Sequence, residues 1–388
     1  MRAKVLEEFK KKFGDNEGNI RVFFAPGRVN LIGEHTDYNG GHVFPCALTI
    51  GTYAVIRKRQ DEIIRLYSMN FVEDGIMETT LQEVKKKQVT GWTGYPAGIV
   101  WSLFQKEFQI DKGFDVLYYG NIPNGSGLSS SASIEVVTVY ALSKVFEFAL
   151  PNIEIAKISQ FSENQYNQVN CGIMDQFAVA MGKENQAIYL DTATLEYRYA
   201  PIRLDDEKIV IMNTNKRREL GDSKYNQRRM ECQKALEMLQ SVRDIQSLGE
   251  LTCEEFEESK EVITDMVLRK RAKHAVYENQ RTMAAVDALE EKDLVKFGQF
   301  MVESHNSLRD DYEVTGVELD TLVEETLKCN GVIGARMTGA GFGGCAVSIV
   351  KNDAVKDVIE AVGENYKKRI GYAADFYVVS VGDGPKEL

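Results

Sequence analysis

Residues 123–133 have the residue types of a phosphate-binding loop. They read Pro-Asn-Gly-Ser-Gly-Leu-Ser-Ser-Ser-Ala-Ser and follow an apolar run at 114–119 that is typical of a strand. A helix is predicted directly after them, because apolar residues recur at helical spacing at Ile134, Val137, Ala141 and Val145. Glycines let the backbone turn N–H groups toward an anion, and the start of a helix adds free N–H groups and a positive dipole end. The pattern therefore predicts phosphate binding.

The spacing excludes two common phosphate motifs. A Walker A loop would need Gly-Lys-Ser/Thr, and a dinucleotide fingerprint would need glycine where Ser130 stands. A serine hydroxyl at the helix start would suit Mg²⁺, which takes oxygen ligands and bridges nucleotide phosphates. The alternative is that the serines only cap the helix while the glycines form a turn. The residues predicted to bind the nucleotide are Pro123, Gly125, Ser126, Gly127, Leu128, Ser129, Ser130, Ser131 and Ala132.

A second motif, at 25–41, gathers a cation, an amide, two carboxylates and an imidazole between Arg28 and Asp37. On a strand followed by a loop, Glu34, His35 and Asp37 can offer hydrogen-bond partners to several hydroxyls at once, as recognition of a sugar requires. Such a site rejects an epimer strongly, because the wrong hydroxyl leaves buried polar atoms unpaired. The alternative is a polar surface hairpin that turns at 38–41.

A third motif, Met-Thr-Gly-Ala-Gly-Phe-Gly-Gly-Cys at 337–345, leads into an apolar run at 346–350. Its four glycines would let the backbone approach a ligand, or would only form a bulged hairpin. This motif by itself does not choose between the two.

The elements that must carry these motifs alternate irregularly between strand and helix. This favours an α+β arrangement of two lobes over a doubly wound parallel sheet. We expect the lobes to comprise residues 1–205 and 206–388, and the last strand could pack on the N-terminal lobe. The predicted strands are 22–25, 28–32, 47–57, 114–119, 187–190, 197–202 and 376–381, and the predicted helical regions are 1–14, 153–182 with a break near 170–172, 215–330 and 353–369.

Composition bounds the class of protein. The chain has 388 residues, 44% hydrophobic and 27% charged, as in a folded globular protein, and it is long enough for two domains. Lysine and arginine number 47 against 58 aspartates and glutamates, so the formal net charge of −11 disfavours nucleic-acid binding through a broad basic surface.

The chain shows no stretch of about 18 uncharged apolar residues, so neither a membrane span nor a signal peptide is expected. Its six cysteines are scattered without a C-x-x-C pair or a metal-type spacing to the histidines. Reduced thiols in a cytoplasmic protein are therefore expected, and no obligate protein partner is inferred.

The three motifs, in this order and over nearly the whole chain, resemble those of the GHMP small-molecule kinases. Residues 27–38, Gly-Arg-Val-Asn-Leu-Ile-Gly-Glu-His-Thr-Asp-Tyr, are similar to the galactokinase signature throughout their length. Residues 171–177, Cys-Gly-Ile-Met-Asp-Gln-Phe, resemble the galactokinase segment that holds the catalytic carboxylate. The resemblance implies transfer of the γ-phosphoryl group of ATP to the anomeric hydroxyl of galactose, giving galactose 1-phosphate and ADP, the first committed step of galactose catabolism.

The resemblance also implies a fold and a set of site residues. The fold is two-lobed, with a mixed sheet in the N-terminal lobe, a ferredoxin-like C-terminal lobe and the active site between them. Arg28 and Asp175 match the catalytic pair, and Ser131 with Glu163 matches the Mg²⁺ positions. The sugar-lining residues that it implies are Glu34, His35, Asp37, Gly172 and Tyr225.

Physical reasons can be given for the catalytic pair. A carboxylate at Asp175 beside Arg28 would stay ionised and could accept the proton of a sugar hydroxyl, while Arg28 would offset charge on the transferred group. Because phosphoryl transfer depends chiefly on positioning, Asp175 could act mainly by orienting the hydroxyl. Without the resemblance, Asp175 would only complement a helix dipole and Arg28 would be a structural ion pair. Basic residues around Tyr225 are expected to do no more than help to attract phosphate.

Three other functions remain open at the level of sequence. The chain could be a sister kinase acting on N-acetylgalactosamine or another galactose-like sugar, since nothing in one sequence measures the room around C2. It could be a non-catalytic sensor that binds galactose and ATP, although the complete loop and the presence of both Arg28 and Asp175 favour catalysis. A plain nucleotide-binding module would leave Glu34, His35 and Asp37 without a purpose.

Overall fold

Two large sheets, each packed against helices, form two lobes with a cleft between them, and a smaller sheet of three strands belongs to the first lobe. The computed structural model describes residues 1–15, 19–123, 127–202, 204–216 and 221–388, the side chains of 221–223 excepted. Gly125 and Ser126 of the predicted nucleotide loop therefore lie outside the described residues. The same holds for Arg217 and Arg218 of the basic run near Tyr225.

The strands and helices are as follows. In chain order, the strands are β1 (Arg21–Asn30), β2 (His42–Val43), β3 (Pro45–Lys58), β4 (Ile63–Ser68), β5 (Met77–Thr80), β6 (Phe114–Gly120), β7 (Gln186–Asp191), β8 (Tyr197–Pro201), β9 (Glu207–Asn213), β10 (Val332–Thr338), β11 (Cys345–Lys351), β12 (Asp375–Val379) and β13 (Lys386–Glu387). The helices are α1 (Arg2–Phe13), α2 (Leu81–Lys85), α3 (Gly94–Gln105), α4 (Ser130–Val145), α5 (Asn152–Gln165), α6 (Met174–Met181), α7 (Gly221–Leu239), α8 (Cys253–Ser259), α9 (Met266–Glu290), α10 (Leu294–Asp310), α11 (Val317–Leu327) and α12 (Val355–Ile370).

The N-terminal lobe is built on a mixed sheet with the strand order β13-β1-β3-β6-β4-β5. The β4–β6 pair is parallel and the other pairs are antiparallel. β1 is buried along nearly its whole length because apolar residues of α1 cover one face of the sheet and α4 covers the other. This two-sided burial explains why its sequence shows little alternation between apolar and polar residues.

One expectation about this sheet is wrong. Pro26-Gly27 was expected to separate two strands, yet β1 runs through both residues with a shift of register between Pro26 and Arg28. Such a bulge tolerates proline and re-aims the side chain that follows it. A Cβ on Gly27 would lie 2.8 Å from the carbonyl oxygen of Leu128, so glycine lets the predicted nucleotide loop approach the strand. The Arg28 N–H donates to that same oxygen over 3.2 Å.

The C-terminal lobe carries an antiparallel sheet with the order β10-β11-β9-β12. Along the chain, β9 is followed by helices α7–α11, then by the β10–β11 hairpin, helix α12 and β12. This is the β-α-β-β-α-β connectivity of ferredoxin-like folds. The predicted α+β class with a mixed N-terminal sheet and a ferredoxin-like C-terminal lobe is therefore confirmed.

The two lobes share an apolar core. One cluster of buried side chains joins Val29 and Phe44 from the first lobe to Ile211, Phe297 and Val347 from the second. The chain end also returns to the first lobe, because β13 pairs with β1. Close packing of this kind fixes the position of one wall of the cleft relative to the other.

Two further observations bear on the class of protein. Within the described residues, no helix has both the length and the apolar character that crossing a membrane requires. None of the six cysteines, all of which belong to the described residues, forms a disulfide.

Candidate active site

A cleft of about 840 Å³, measured out to open solvent, lies between the lobes. It is lined by parts of β1 and the loop after it, by the turn before α6, by α7 and by the β10–β11 connection. The predicted catalytic, sugar-lining and metal residues found in its wall are Arg28, Glu34, His35, Asp37, Glu163, Gly172, Asp175 and Tyr225.

Arg28 and Asp175 form an ion pair in this cleft although they are 147 residues apart in sequence. Nε of Arg28 donates to Oδ1 of Asp175 over 2.9 Å, and Nη2 lies 2.7 Å from the same oxygen. Within the described residues nothing donates to Oδ2 of Asp175. The Arg28 side chain is only 3% exposed and that of Asp175 is 31% exposed. The pair therefore leaves one carboxylate oxygen to face a ligand.

Local structure sets the position of both members of this pair. Asp175 lies in the first turn of α6, where the positive end of the helix favours a negative charge. Arg28 follows the bulge of β1, and its Nη1 donates to the carbonyl oxygen of Gly127 over 2.7 Å. Arg28 therefore joins the carboxylate to the backbone of the predicted nucleotide loop.

Glu34 is buried beside the third glycine motif. Its Oε1 accepts hydrogen bonds from the backbone N–H of Gly339 over 2.8 Å and from Nη1 of Arg336 over 3.2 Å. The backbone of 339–342 lines the cleft where β10 connects to β11. The glycine motif is thus both a hairpin connection and part of the wall of the cleft.

The imidazole of His35 is fully engaged with protein atoms. Its Nε2 donates to the carbonyl oxygen of Ala340 over 3.3 Å, so Nδ1 accepts from the Tyr38 hydroxyl over 2.7 Å. Burial lowers the pKa of His35 to about 3, with His274 nearby as the next cause, so the ring is neutral. The residue adopts φ +61°, which is uncommon for a side chain other than glycine. His35 thus lines the cleft without a free ring nitrogen.

Asp37 and Gly172 touch each other across the cleft wall. Oδ1 of Asp37 accepts from the backbone N–H of Tyr38 over 3.0 Å. Burial, followed by the charges of Asp175 and Glu34, raises the pKa of Asp37 to about 7. A Cβ on Gly172 would overlap the Asp37 carboxylate, so only glycine allows this approach.

Tyr225 reaches the cleft from α7, in a charged stretch whose pattern alone does not mark it. Its ring centroid lies 5.6 Å from that of His35 and 5.5 Å from that of Tyr38. Two of the described cations near it bind other protein groups. Lys216 pairs with Glu318 over 2.9 Å, and the buried Arg228 donates to the carbonyl oxygen of Tyr312 over 2.7 Å.

The start of α4 has the features of an anion site. Ser129, at the N-cap, adopts φ +61° and makes no side-chain cap hydrogen bond. Ser133 instead ties the helix to the sheet, donating to the carbonyl oxygen of Ala25 over 3.0 Å. Because the serines do not cap this helix within the described residues, its first N–H groups are available to a ligand. Leu128, Ser130, Ser131 and Ala132 lie at this helix start, and Pro123 and Gly127 flank the undescribed residues 124–126.

Oxygen donors suited to Mg²⁺ lie near this helix start. Glu163 is buried and accepts from Nε2 of Gln176 over 2.6 Å. Burial and the charge of Asp175 raise the pKa of Glu163 to about 7, and hydrogen bonding from Ser131 opposes that rise. Glu135, one helical turn after Ser131, is also buried, and its Oε2 has no hydrogen-bond partner within the described residues. Carboxylate and hydroxyl oxygens fit a hard cation that is held largely by nucleotide phosphates.

A second cleft, which the sequence motifs do not indicate, opens on the other side of the α4 N-terminus. It is lined by Ser131 together with Phe71, Trp92 and Tyr118, among others. The rings of Phe71 and Trp92 stack with their centroids 6.2 Å apart. No motif surrounds these aromatic residues, so only the fold could reveal that they share one cleft.

Comparisons with known proteins agree with this geometry. Residues 7–58 match the family model described as the galactokinase galactose-binding signature, residues 95–183 match the GHMP kinases N terminal domain, and residues 285–368 match GHMP kinases C terminal. A galactokinase of Clostridium beijerinckii is 56% identical over 98% of this chain and 97% of its own length. A galactokinase of Ligilactobacillus salivarius is 53% identical over the whole of both chains.

Solved structures give the same result. A Lactococcus lactis galactokinase complexed with galactose superposes with a TM-score of 0.98, with 50% identity and complete coverage of both chains. A mevalonate kinase of Methanococcus jannaschii shares the fold, with a TM-score of 0.66 and 20% identity over 95% of this chain and all of its own.

Proposed function

Because this chain belongs to the galactokinase family of GHMP kinases, we propose that it transfers the γ-phosphoryl group of ATP to the anomeric hydroxyl of galactose, forming galactose 1-phosphate and ADP. The observation that carries this proposal is the 2.7 Å pair of Arg28 and Asp175 in the cleft that Glu34 and Asp37 also line. A charged pair, hydroxyl-binding carboxylates and a free helix N-terminus are what phosphoryl transfer to a sugar requires.

Asp175 is the group proposed to receive the proton of the anomeric hydroxyl. Its Oδ1 is held by Arg28, so Oδ2 is the oxygen that would contact the hydroxyl. Arg28 has two tasks: it holds Asp175, and its positive charge offsets negative charge on the transferred group. Arg28 also donates a hydrogen bond to the Gly127 carbonyl oxygen. It would therefore fix the distance between the proposed sugar site and the proposed phosphate loop.

The other sugar contacts are proposed for residues of the same cleft wall. Glu34 and Asp37 would accept hydrogen bonds from sugar hydroxyls, and Gly172 makes room for Asp37. The rings of Tyr225 and His35, whose centroids lie 5.6 Å apart, would form one wall of the sugar site. Buried carboxylates of this kind distinguish epimers, because a missing hydroxyl leaves them unpaired.

The nucleotide is proposed to lie across the start of α4. Its phosphates would bind the N–H groups of 127–132 and of Gly125 and Ser126 in the undescribed part of the loop. The aromatic cleft beside Ser131 would take the base between Phe71, Trp92 and Tyr118. Mg²⁺ would be held by Ser131 and Glu163, where it would neutralise phosphate charge.

Two coarser aspects of the protein are also proposed. We expect it to act in the cytoplasm, where its six cysteines, none of which is in a disulfide in the described structure, would stay reduced. We also propose a division into lobes of 1–205 and 206–388, which is supported by the first strand of the C-terminal sheet, β9, starting at Glu207.

A panel of hexoses tests this function. ADP release would be measured by a coupled assay with galactose, N-acetylgalactosamine, glucose and mannose, and ³¹P NMR would locate the phosphate on the product. We expect galactose to exceed glucose, its C4 epimer, by at least about 10²-fold in kcat/KM, because buried polar groups discriminate hydroxyls strongly. Faster turnover of N-acetylgalactosamine would contradict the proposal, as would calorimetric binding of galactose without ADP release.

A further inference from the structure

A buried arginine behind the cleft joins the two lobes, and the mechanism above does not use it. Arg336 lies on β10 of the C-terminal lobe, and its side chain has no exposed surface. Its Nη1 donates to the carbonyl oxygen of Asn30 and to Oε1 of Glu34, both over 3.2 Å, and its Nε donates to Oγ of Ser304 over 3.1 Å. A guanidinium in this position contacts both the backbone and the side chain of the sugar-binding segment.

This contact has a defined effect on Glu34. Arg336 and the backbone N–H of Gly339 both donate to Oε1, and within the described residues nothing donates to Oε2. Glu34 is 1% exposed and lines the cleft. One oxygen is therefore saturated by protein donors, which leaves Oε2 as the acceptor for a ligand.

A second carboxylate completes the arrangement. Glu278 on α9 lies 3.9 Å from Nη2 of Arg336, and its Oε1 accepts from the backbone N–H of Gly33 over 3.1 Å. Arg281 pairs with the other oxygen of Glu278. Two carboxylates and two guanidiniums thus balance in charge, and they hold both the backbone before Glu34 and the Glu34 side chain.

We propose that Arg336 is a positioning residue of the sugar site, which fixes the Glu34 carboxylate so that Oε2 faces the sugar and thereby sets the affinity for it. This inference rests on the proposed function. A positioning role differs from a purely structural role. A structural role would change the stability of the protein without changing KM for galactose more than KM for ATP. The planar fork of arginine can serve Asn30, Ser304 and Glu34 together, whereas a lysine ammonium at the end of a flexible stem cannot reproduce that geometry.

The test compares three variants with the wild-type protein. Arg336→Lys keeps the charge and removes the fork. The double variant Arg336→Met/Glu278→Gln removes one charge of each sign, so the net charge of the cluster does not change. Arg57→Lys is the matched control, because Arg57 is also buried and pairs with Asp115 over 2.7 Å. Arg57 lies opposite the start of β1, roughly 24 Å along the strand from Arg28 at about 3.4 Å per residue.

The expected result is a split between the two Michaelis constants. Both Arg336 variants should fold, as judged by circular dichroism, and raise KM for galactose about tenfold or more, the effect of losing one charge-assisted hydrogen bond. KM for ATP should stay within about twofold, since no proposed nucleotide contact changes. In a Glu34→Gln background, Arg336→Lys should add little, because its effect passes through Glu34. Arg57→Lys should leave both constants unchanged.

Several outcomes would overturn the inference. These are equal changes of both Michaelis constants, no change in either, the same split in Arg57→Lys, full additivity with Glu34→Gln, or failure of both Arg336 variants to fold. The proposed function is judged separately by the wild-type protein on the hexose panel. Turnover of galactose by the wild type, together with any of these outcomes, would remove only the role of Arg336.

Discussion

Replacing Asp175 with asparagine separates the proposed proton-accepting role of this residue from its structural role. In the structure both guanidinium contacts, at 2.7 and 2.9 Å, fall on Oδ1. An asparagine can keep that oxygen toward Arg28 and place its NH₂ group where Oδ2 stood. The variant therefore keeps the shape of the cleft but offers a donor in place of the acceptor that is proposed to face the sugar.

The expected magnitudes follow from this geometry. The bonds from Arg28 lose the benefit of a charged acceptor, which should cost about 1 kcal/mol of folding free energy, or about 1 °C in Tm for a chain of this length. Galactose should still bind, since the other cleft residues are unchanged. The value of kcat should fall at least about 10²-fold, the low end for a positioned acid or base, equivalent to about 2.7 kcal/mol of activation free energy.

The assay combines ADP release, calorimetry with galactose and thermal unfolding. Asp61→Asn serves as the control, because Asp61 pairs with Arg59 over 2.6 Å but its side chain is 46% exposed and outside the cleft. That variant should change neither kcat nor galactose affinity. Near-normal turnover by Asp175→Asn would remove Asp175 from the chemical step. Loss of galactose binding in step with kcat would instead make it a binding residue.

Four further results are expected. Gly172→Ala should raise KM for galactose, without a matching loss of ATP affinity, because its methyl group would displace the Asp37 carboxylate; an unchanged KM would refute the steric argument. The folded-state pKa of Asp37, about 7, exceeds the unfolded value near 3.8, so its stabilising contribution is complete below pH 4 and is lost as pH rises to 7. Urea unfolding of the ligand-free protein should show a decline over that range, by up to about 1.4 kcal/mol per pH unit, which Asp37→Asn lessens; equal slopes would contradict the assignment. Trp92→Ala should raise KM for ATP and leave KM for galactose unchanged. The reverse pattern would exclude the aromatic cleft as the base site. Glu163→Gln should raise the Mg²⁺ concentration needed for half-maximal nucleotide binding by calorimetry, and an unchanged requirement would remove Glu163 as a ligand.

Local patterns predicted the elements that carry the chemistry. The apolar spacing after residue 130 indicated α4, and the break near 170–172 separates α5 from α6. These features depend on neighbours within a few residues, so a single sequence contains them. The pattern failed at Pro26-Gly27, where a turn signal belongs to a bulge inside β1. Proline and glycine mark both features, and only the pairing with β3 distinguishes them.

Recognition of the site depended on how much of it lies in contiguous motifs. Arg28, Glu34 and Asp37 stand within ten residues, so their types alone indicated either a site for a polar ligand or a polar surface hairpin. The aromatic cleft around Trp92 had no such signal, because its members come from separate elements. Tyr225 likewise rested on resemblance, since its surroundings in sequence are those of a solvated helix.

The sequence by itself determined which residue types stand close together in the chain: a glycine-serine loop typical of phosphate binding, two carboxylates suited to hydroxyls, and signatures long enough to indicate a family. Only the tertiary structure decided which atoms of these groups form hydrogen bonds within the protein and which remain available to ligands. It joins Arg28 to Asp175 across 147 residues and Glu34 to Arg336 across 302. Such pairings arise from the packing of whole lobes around a shared core, and spacing along the chain carries no record of that packing.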